Sequence, residues 1–529
     1  MVGSSDRGAN RALAGSRPLQ SSDFTFYGFG ELRRDERRKI LRLGIRDGEP
    51  AVSVIDDAVF LPNGYEASAG QPKYAGGIVK PDGWPIETAQ MHRKGGKRFG
   101  GLVESIAVSP DRELDEEVIY LGLVFNHYGR VLLETLARIW FLKHVDPSVK
   151  VVLNSANAAQ AAHAPWLPGI LSLFGVPPER LLSLQEPTRL RRAIVPEPLF
   201  EQFYSAHEEM VRPFREAAAR VAGDVTPSEQ PLYLSRRRLS SRQRPVIGEV
   251  ELEDVLRENS FLVAYPETMP TEDQVRLINS HTNIFSSMGS AAHSILFALH
   301  RPRLHLLASR DDIPANYYLC SVLAEAPTTF VNCLGSGGRV TANDERLNRR
   351  AESFGNAEKQ RPVDVDAGPQ SMPQLLDLSR AIDYLNENGF LKNGARSSVQ
   401  ASDMSRQRQF DEVWLYARIR KAATKSTLPD DIEQEAEALA TASWPLSLML
   451  ARYYARARDA ARADAMASQF VTLATAENDR DRLAYYRGDV QGMASRIARM
   501  CRPETSNRLT RLIADRFPAS ARDGDEDVD

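Results

Sequence analysis

Three short stretches of the sequence carry residues that could bind or activate an anionic substrate, and the first is a run of arginines. Arg236 and Arg237 begin three consecutive arginines after the apolar residues 232–234, and Arg242 follows in the same loop. A guanidinium group stays charged and donates two parallel hydrogen bonds, which suits phosphate. A solvated basic loop has the same composition, so the pattern predicts either an anion site or an exposed loop.

The second stretch passes from an apolar strand through small side chains to the start of a helix. Gly289 and Ser290 form the turn, and His293 follows within the first helical residues. Small side chains let a ligand approach the backbone, and the first amides of a helix are unpaired donors at the positive end of its dipole. The turn therefore predicts an anion site, although tight packing of a strand against a helix would also need small residues.

The third stretch joins the end of an apolar strand to an amphipathic helix. Asn126 and His127 lie at the carboxyl end of the predicted strand, where side chains face a cleft. Glu134 comes four residues after Arg130 and four before Arg138, which is also the spacing of ion pairs on a helix surface. His127 and Glu134 are therefore candidate acid–base residues, with a surface ion pair as the alternative for Glu134.

Metal binding receives little support from the sequence. Asp-Val-Asp triplets at 364–366 and 527–529 have a spacing that some transferases use for Mn²⁺ or Mg²⁺, but the first lies in a linker and the second in an acidic tail. His281 and His305 lack a second ligand at helical spacing. We therefore expect binding that needs neither a metal nor another cofactor.

The patterns of strands and helices place the three stretches at strand ends in two α/β lobes. Residues 117–125, 130–143 and 150–154 predict a β-α-β unit, and a helical stretch at 205–222 bridges to the next lobe. From 232 to 307 strands alternate with helices, which implies a doubly wound parallel sheet. The predicted organisation is a disordered leader (1–25), a β-rich N-terminal module (26–115), a first Rossmann-like lobe (116–225), a second Rossmann-like lobe (226–342), a linker (343–372) and an α-helical hairpin domain (373–529).

The last part of the chain is predicted to be helical. Trp444-Pro445 opens a helix, a turn follows near Arg458, and a second helix runs to Leu473. The pair resembles a helical hairpin of the tetratricopeptide type, but no repeating period is visible. The pattern therefore predicts an α-hairpin stack.

Composition excludes several classes of protein. The chain has 67 basic and 70 acidic residues and a net charge of -3, so its overall charge gives no reason to expect binding to nucleic acid. Cys320, Cys333 and Cys501 form no short-spaced pair, which fits a reducing compartment. The leader lacks the apolar core of a signal peptide, and no apolar run approaches the roughly 20 residues of a membrane helix. We expect a cytoplasmic protein without a transmembrane segment.

In their order along the chain, the three stretches resemble the family 61 glycosyltransferases, which include bacterial polysaccharide enzymes, plant xylosyltransferases and animal N-acetylglucosaminyltransferases. The resemblance covers about residues 118–331. It rests on Leu234-Ser235-Arg236-Arg237, on Gly289-Ser290-Ala291-Ala292-His293 followed by Phe297, and on Asn126, Gly129 and Leu133-Glu134. It implies a GT-B-like pair of Rossmann-like lobes, with the donor nucleotide-sugar in the second lobe, and inverting transfer to a hydroxyl. Many relatives have Gly-His-Phe where this chain has Gly129-Arg130-Val131, and His-Gly-Ala where it has Met288-Gly289-Ser290.

This resemblance suggests a role for each candidate residue. Inverting transfer needs a base for the proton of the acceptor and donors or cations for the leaving diphosphate. Either Glu134 or His127 is the expected base. The other expected roles are diphosphate binding for Arg236, Arg237 and, in reserve, Arg242, together with the amides of Gly289 and Ser290, and a place in the cleft for Asn126, Arg130 and His293.

Two functions follow from these expectations. The first is an active transferase that moves a sugar to a glycan or lipid-linked glycan in capsule, lipopolysaccharide or exopolysaccharide synthesis, in the cytoplasm or peripherally at the inner face of the plasma membrane. The second is a catalytically weak transferase-like protein whose helical tail acts as a scaffold for a protein partner or for self-association. Arg130 separates the two, because an inactive relative is expected to lose cleft residues first.

Overall fold

The structure is a computed structural model that describes residues 16–30, 32–65, 74–110, 112–155, 166–239, 246–308, 313–333, 374–392, 412, 415–416, 419–420, 428, 430–478 and 480–518. It divides into two compact units. Unit 1 is Met1–Leu234 with Met269–Asn332, and unit 2 is Ser235–Thr268 with Cys333–Asp529. These units do not coincide with the predicted lobes, since residues 269–332 group with the N-terminal part. The predicted linker at 343–372, both Asp-Val-Asp triplets and Arg242 lie outside the described residues.

The first sheet of unit 1 contains the long strand Arg112–Val124, which leads to His127. The sheet is parallel around this strand and antiparallel at one edge, and Val52–Asp56 also pairs with Thr188–Pro196. Its strand order is Leu181–Leu182, Lys150–Ser155, Arg112–Val124, Thr188–Pro196, Val59–Leu61 and Gly77–Val79. Strands from the predicted β-rich N-terminal module thus complete the sheet of the first α/β lobe.

The second sheet of unit 1 is parallel and precedes Gly289. Its paired strands, in order, are Leu232–Leu234, Asn283–Ser287, Arg303–Ala308, Thr328–Asn332 and Phe24–Tyr27. Asn283–Ser287 is buried along its whole length, as is typical of a parallel strand covered on both faces. The predicted alternation of strands and helices from 232 to 307 agrees with this sheet.

Residues near the N-terminus differ from the predicted disordered leader. Ser16–Pro18 pairs with Gly44–Arg46, and a 3-10 turn at Ser21–Asp23 precedes Phe24–Tyr27. Residues 1–15 of the predicted leader lie outside the described residues. The difference arises because the short apolar segment Phe24–Tyr27 extends the edge of the second sheet.

Helices and short strands complete unit 1. The stretch predicted as helical from 205 begins with the strand Ser205–His207, and its helix starts at Val211. The α-helices are Leu32–Ile40, Tyr128–Arg130, Leu167–Leu173, Val211–Ala222, Thr271–Asn279 and Ala315–Leu323. The 3-10 helices are Glu87–Ala89, Leu136–His144, Pro178–Arg180, Glu208–Met210 and Ser290–Phe297, and Val131–Thr135 is a π-helical turn. The remaining strands are Phe200–Glu201, Met91–Arg93 and Lys97–Gly100.

Unit 2 joins two distant parts of the sequence. Val246–Ile247 pairs in parallel with Gln374–Leu375, and the backbone N–H of Lys392 donates to Asn259 Oδ1 at 2.7 Å. The other elements of these two parts are Glu249–Glu258, Leu262–Ala264, Pro266–Thr268 and Leu378–Glu387. The helical domain predicted from residue 373 therefore begins with residues that fold against 246–261.

Five further helices of unit 2 share a core around Trp444. Its ring lies 5.1 Å from Tyr486, 5.7 Å from Phe517 and 5.9 Å from Phe470, measured between ring centroids. The helices are Asp430–Ala440, Trp444–Ala457, Ala460–Ala476, Arg480–Ala498 and Pro503–Arg516. The predicted helix opening at Trp444 and the turn at Arg458 are confirmed, whereas the tetratricopeptide-like character stays a prediction. Across the described residues, every helix is too short or too polar to cross a bilayer.

His305 is part of the core of unit 1. Its ring is buried and stacks on Phe285, with centroids 4.2 Å apart and an interplanar angle of 10°. Burial, helped by the charge of Arg303, lowers the pKa of His305 from 6.5 to about 3. The imidazole is therefore neutral in the folded chain at every pH above this value.

This buried histidine predicts acid sensitivity of unit 1. Because its folded pKa lies below its unfolded value, the unfolded chain takes up a proton first as the pH falls. Stability is then lost progressively from about pH 6.5 downward, by about 2 kcal/mol at pH 5 for this one group. Hydrogen exchange of the 303–308 strand in urea, at about pH 7.5 and about pH 5, measures the loss.

The matched variants are His305→Gln and His144→Gln, the second removing an exposed imidazole. His305→Gln is expected to reduce the difference in stability between the two pH values, and His144→Gln to leave it unchanged. An unaltered pH dependence in His305→Gln would show that this residue does not cause the acid sensitivity.

Candidate active site

The structure brings two of the predicted stretches together at Gly129. A Cβ atom added to Gly129 would lie 2.9 Å from Ser290 Oγ, 3.1 Å from Ser290 Cβ and 3.3 Å from His293 Cδ2. Nearby, Tyr128 and Ser294 are joined by a hydroxyl–hydroxyl hydrogen bond of 2.9 Å. A side chain at this position would have to displace Ser290, because the two segments approach each other closely at the Gly129 backbone.

His127 and Asn126 are exposed beside this contact. His127 is the residue before the short helix Tyr128–Arg130, and its Nδ1 accepts from the Arg130 N–H at 3.3 Å. The same N–H donates to the His127 carbonyl oxygen at 3.0 Å, so the imidazole receives the longer branch of a shared hydrogen bond. The sequence prediction that His127 lies at the strand end is confirmed by the end of the strand at Val124.

His293 lies on the buried side of the same contact. Its ring is 8% exposed and lies 4.8 Å from the Tyr317 ring, while the Tyr317 hydroxyl donates to Gly289 O at 3.2 Å. Burial, with the charge of His127 as a second cause, lowers the pKa of His293 from 6.5 to about 3. The imidazole is neutral, and its Nδ1 has no hydrogen-bond partner among the described residues. This nitrogen is a polar atom available to a bound group.

Glu134 lies one turn after Arg130, in the π-helical turn Val131–Thr135. Its side chain is only 2% exposed. Its Oε2 accepts from Arg130 Nε at 2.8 Å, and its Oε1 accepts from Arg93 Nε at 2.8 Å and also from Arg93 Nη2. Glu134 thus pairs with Arg130 as its spacing indicated, but inside the protein instead of on a helix surface. Both of its oxygens are already occupied by guanidinium donors.

Arg138, the other arginine at helical spacing from Glu134, has a separate role. It is fully buried, and it donates to the carbonyl oxygens of Pro196 at 3.0 Å and of Thr88 and Gln90 at 2.9 Å. Burial lowers its pKa from 12.5 to about 10. These bonds hold the helical segment after Gly129 against two other parts of unit 1.

The arginine loop belongs to unit 2 and is fixed by buried carboxylates. Arg236 N donates to Glu249 Oε1 at 3.1 Å, and Arg237 N donates to Ser235 Oγ at 3.0 Å. Ser235 Oγ in turn donates to Glu253 Oε1 at 2.6 Å, and Glu253 is fully buried. The loop backbone is therefore held independently of its guanidinium groups, of which those of Arg236 and Arg237 are half-buried.

Arg257 and Arg238, two further arginines of unit 2, both have partners. Arg257 Nη2 donates to Glu253 Oε2 at 2.6 Å, and the Tyr265 hydroxyl donates to the same oxygen at 2.7 Å. The Arg238 guanidinium lies 4.0 Å above the Tyr265 ring, whereas Arg237 Nη1 is 3.8 Å from Glu253 Oε2. Arg237 thus makes a longer ion pair than Arg257 does.

Sequence reasoning missed Arg93, which contacts Glu134 from a β-hairpin 41 residues earlier. The local sequence of this hairpin gives no indication that Arg93 pairs with Glu134, because the tertiary fold brings the two residues together. Tyr317 was missed for the same reason. Among the described residues, no group of three or more His, Cys, Asp or Glu side chains could hold a metal ion, and the expectation of metal-independent binding stays a prediction.

The close approach at Gly129 can be tested by adding one methyl group and then making room for it. Gly129→Ala is expected to destabilise unit 1 by about 1 to 3 kcal/mol through overpacking against Ser290, and Gly129→Ala with Ser290→Gly to recover most of this loss. Chemical denaturation measures both. Gly169→Ala is the matched control, because a Cβ there meets only Thr271 Oγ1 at 3.9 Å. Equal stability of the single and double variants would contradict the contact.

Part of this region matches a model of a known protein family. The family model described as Glycosyltransferase 61 matches residues 128–304, about one third of the chain. The match contains Gly129, Glu134, the Arg236 loop and the Gly289–His293 block. No curated protein matches the chain. The match supports a family 61 glycosyltransferase domain, and hence glycosyl transfer in general, for this part of the protein.

Proposed function

We propose that the chain is an inverting glycosyltransferase that moves a sugar from a nucleotide-sugar donor to a hydroxyl of a glycan or lipid-linked glycan. The observation that carries the proposal is the contact of Gly129 with Ser290 and His293, because it joins two predicted site stretches inside the segment that matches the family. A GT-B-like arrangement, a bacterial polysaccharide pathway and a cytoplasmic or peripheral membrane location belong to the same proposal.

His127 is the better candidate for the base. A base must have a nitrogen or oxygen that can take a proton from the acceptor hydroxyl within hydrogen-bond reach. His127 is exposed, and its Nδ1 accepts the long, shared hydrogen bond from the Arg130 N–H. Glu134 is buried, and each of its oxygens accepts from an arginine. Glu134 is therefore better suited to hold cations than to exchange protons with a substrate.

The leaving diphosphate requires donors and positive charge. Gly289 and Ser290 are half-buried at the start of the 3-10 helix Ser290–Phe297, and their small side chains leave the backbone accessible to a phosphate. Arg236 and Arg237 supply guanidinium groups on a loop whose backbone is already fixed. We assign phosphate binding to Gly289 and Ser290 in unit 1 and, separately, to Arg236 and Arg237 in unit 2.

The surroundings of Arg130 favour the active enzyme over the scaffold alternative. Its guanidinium is bonded to Glu134 and lies 3.1 Å from the centre of the Phe125 ring. A residue that had drifted after loss of function would not need a buried carboxylate and an aromatic face to hold it. Binding of a protein partner, or self-association, through the helices around Trp444 is compatible with either alternative.

A donor screen tests the proposed function. The full chain is incubated in EDTA with UDP-glucose, UDP-galactose, UDP-N-acetylglucosamine, UDP-xylose and GDP-mannose, with and without an oligosaccharide acceptor, and release of nucleotide is measured. At least one donor is expected to be used, and UDP at millimolar concentration is expected to raise the melting temperature. Activity that appears only with Mn²⁺ would contradict the metal-independent mechanism, and no release with any donor would contradict the proposed activity.

Removal of single arginines tests the assignment to phosphate. Arg236→Ala and Arg237→Ala are each expected to weaken UDP binding by about 10- to 100-fold, since a charge-assisted bond contributes about 1.5 to 3 kcal/mol. The fold is expected to survive, because the loop is held by backbone donors and Glu253 keeps Arg257, Tyr265 and Ser235 as partners.

Calorimetry with UDP in EDTA measures the affinity. Arg238→Ala is the matched control: it removes the same charge from the same loop, but its guanidinium lies over Tyr265. An unchanged affinity in both Arg236→Ala and Arg237→Ala, or an equal loss in Arg238→Ala, would contradict the assignment.

A further inference from the structure

The hairpin formed by Met91–Arg93 and Lys97–Gly100 reaches the candidate site from the predicted N-terminal module. Arg93 ends its first strand and donates two hydrogen bonds to one oxygen of Glu134. Arg93 is mostly buried, with 12% of its side chain exposed. A long cationic side chain that is buried in this way needs a specific partner, and Glu134 provides it.

Aromatic rings also contact both arginines. The Arg93 guanidinium lies 3.6 Å from the centre of the Phe99 ring, on the second strand of the hairpin. The Arg130 guanidinium lies 3.1 Å from Phe125 and 5.3 Å from the same Phe99 ring. Phe99 therefore contacts both cations, and the hairpin contributes two side chains to one cluster.

Two arginines share one carboxylate in this cluster. Arg93 and Arg130 both donate to Glu134, each to a different oxygen. Burial lowers the pKa of Arg93, an effect that the charge of Glu134 opposes. The cluster is connected to the Gly129 contact through the chain, because Arg130 is the next residue. Glu134 is thus linked, through its ion pair with Arg130, to the segment that carries His127.

We propose that Arg93 is a positioning residue of the transferase site, which holds Glu134 and, through it, the Arg130 guanidinium in place next to Gly129. The N-terminal hairpin is then a part of the catalytic unit and not an accessory module. This inference rests on the proposed function and assigns to Glu134 the role of a fixed counter-ion in place of the base. It requires no direct contact between Arg93 and the substrate.

The test compares Arg93→Met, Arg93→Lys and Lys97→Met in the full chain. Lys97→Met is the matched control, because it removes a positive charge from an exposed position of the same hairpin. Arg93→Met leaves Glu134 paired with Arg130, so this variant is expected to fold. Three quantities are measured for each: the melting temperature, the Kd of UDP, and the turnover of the five nucleotide-sugars of the donor screen.

Arg93→Met is expected to lower kcat by about 10- to 100-fold, because it removes a group that orients other residues of the site. The Kd of UDP is expected to stay within about threefold of that of the unaltered chain. Arg93→Lys, which keeps the charge but not the two-pronged donor, is expected to recover part of kcat. Lys97→Met is expected to behave as the unaltered chain.

Two results would overturn the proposal. One is a kcat of Arg93→Met within about twofold of that of Lys97→Met. The other is a general loss, in which melting temperature, UDP affinity and turnover fall together and Arg93→Lys restores none of them, because this indicates a purely structural role. If the unaltered chain uses no donor at all, the proposed function fails and this inference fails with it. The donor screen on the unaltered chain shows this before any variant is measured.

Discussion

The contact between the backbone of Gly129 and the side chains of Ser290 and His293 is the constraint on which the candidate site depends. It joins segments so distant that the neighbouring Tyr128–Ser294 hydrogen bond spans 166 residues of sequence. Because no Cβ atom fits there without displacing Ser290, the end of one strand is fixed against the helix start that follows another. The exposed imidazole of His127 and the buried imidazole of His293 lie close together for this reason.

The buried ion cluster adds a second constraint with a different physical origin. A carboxylate that is 2% exposed is costly unless it is paired, and removal of one partner from a buried pair typically costs about 3 to 5 kcal/mol. Glu134 avoids this penalty with two arginines, one from its own helical segment and one from the hairpin. The packing of the hairpin and the geometry of the π-helical turn are therefore coupled.

The sequence predicted the local elements well because their patterns are local. The alternation of strands and helices from 232 to 307 and the opening of helix Trp444–Ala457 agree with the prediction. Hydrophobic period indicates both, and Ser443 and Pro445 mark the start of the second helix. The contact of Gly129 with Ser290 was not predicted from the pattern of either stretch. A single glycine gives no indication of which distant residue it will contact.

What the sequence could not supply depends on tertiary pairing. The ion pair of Arg93 with Glu134 has no local signature. Helical spacing allowed Arg138 as well as Arg130 to pair with Glu134, but Arg138 binds three carbonyl oxygens instead. The boundaries of the compact units also depend on tertiary pairing, because Val246–Ile247 pairs with Gln374–Leu375 across a long stretch of sequence. Which groups a buried arginine contacts depends on where the folded chain buries it, and this is a property of the folded chain.

The most direct test of the central claim is hydrogen–deuterium exchange of the full chain with and without saturating UDP. If the nucleotide-sugar site is built on the Gly129 contact, exchange slows at residues 126–131 and 289–294, because ligand binding there stabilises both segments. If UDP binds, as calorimetry would show, while exchange in both segments stays unchanged, the donor site lies elsewhere and the account is wrong.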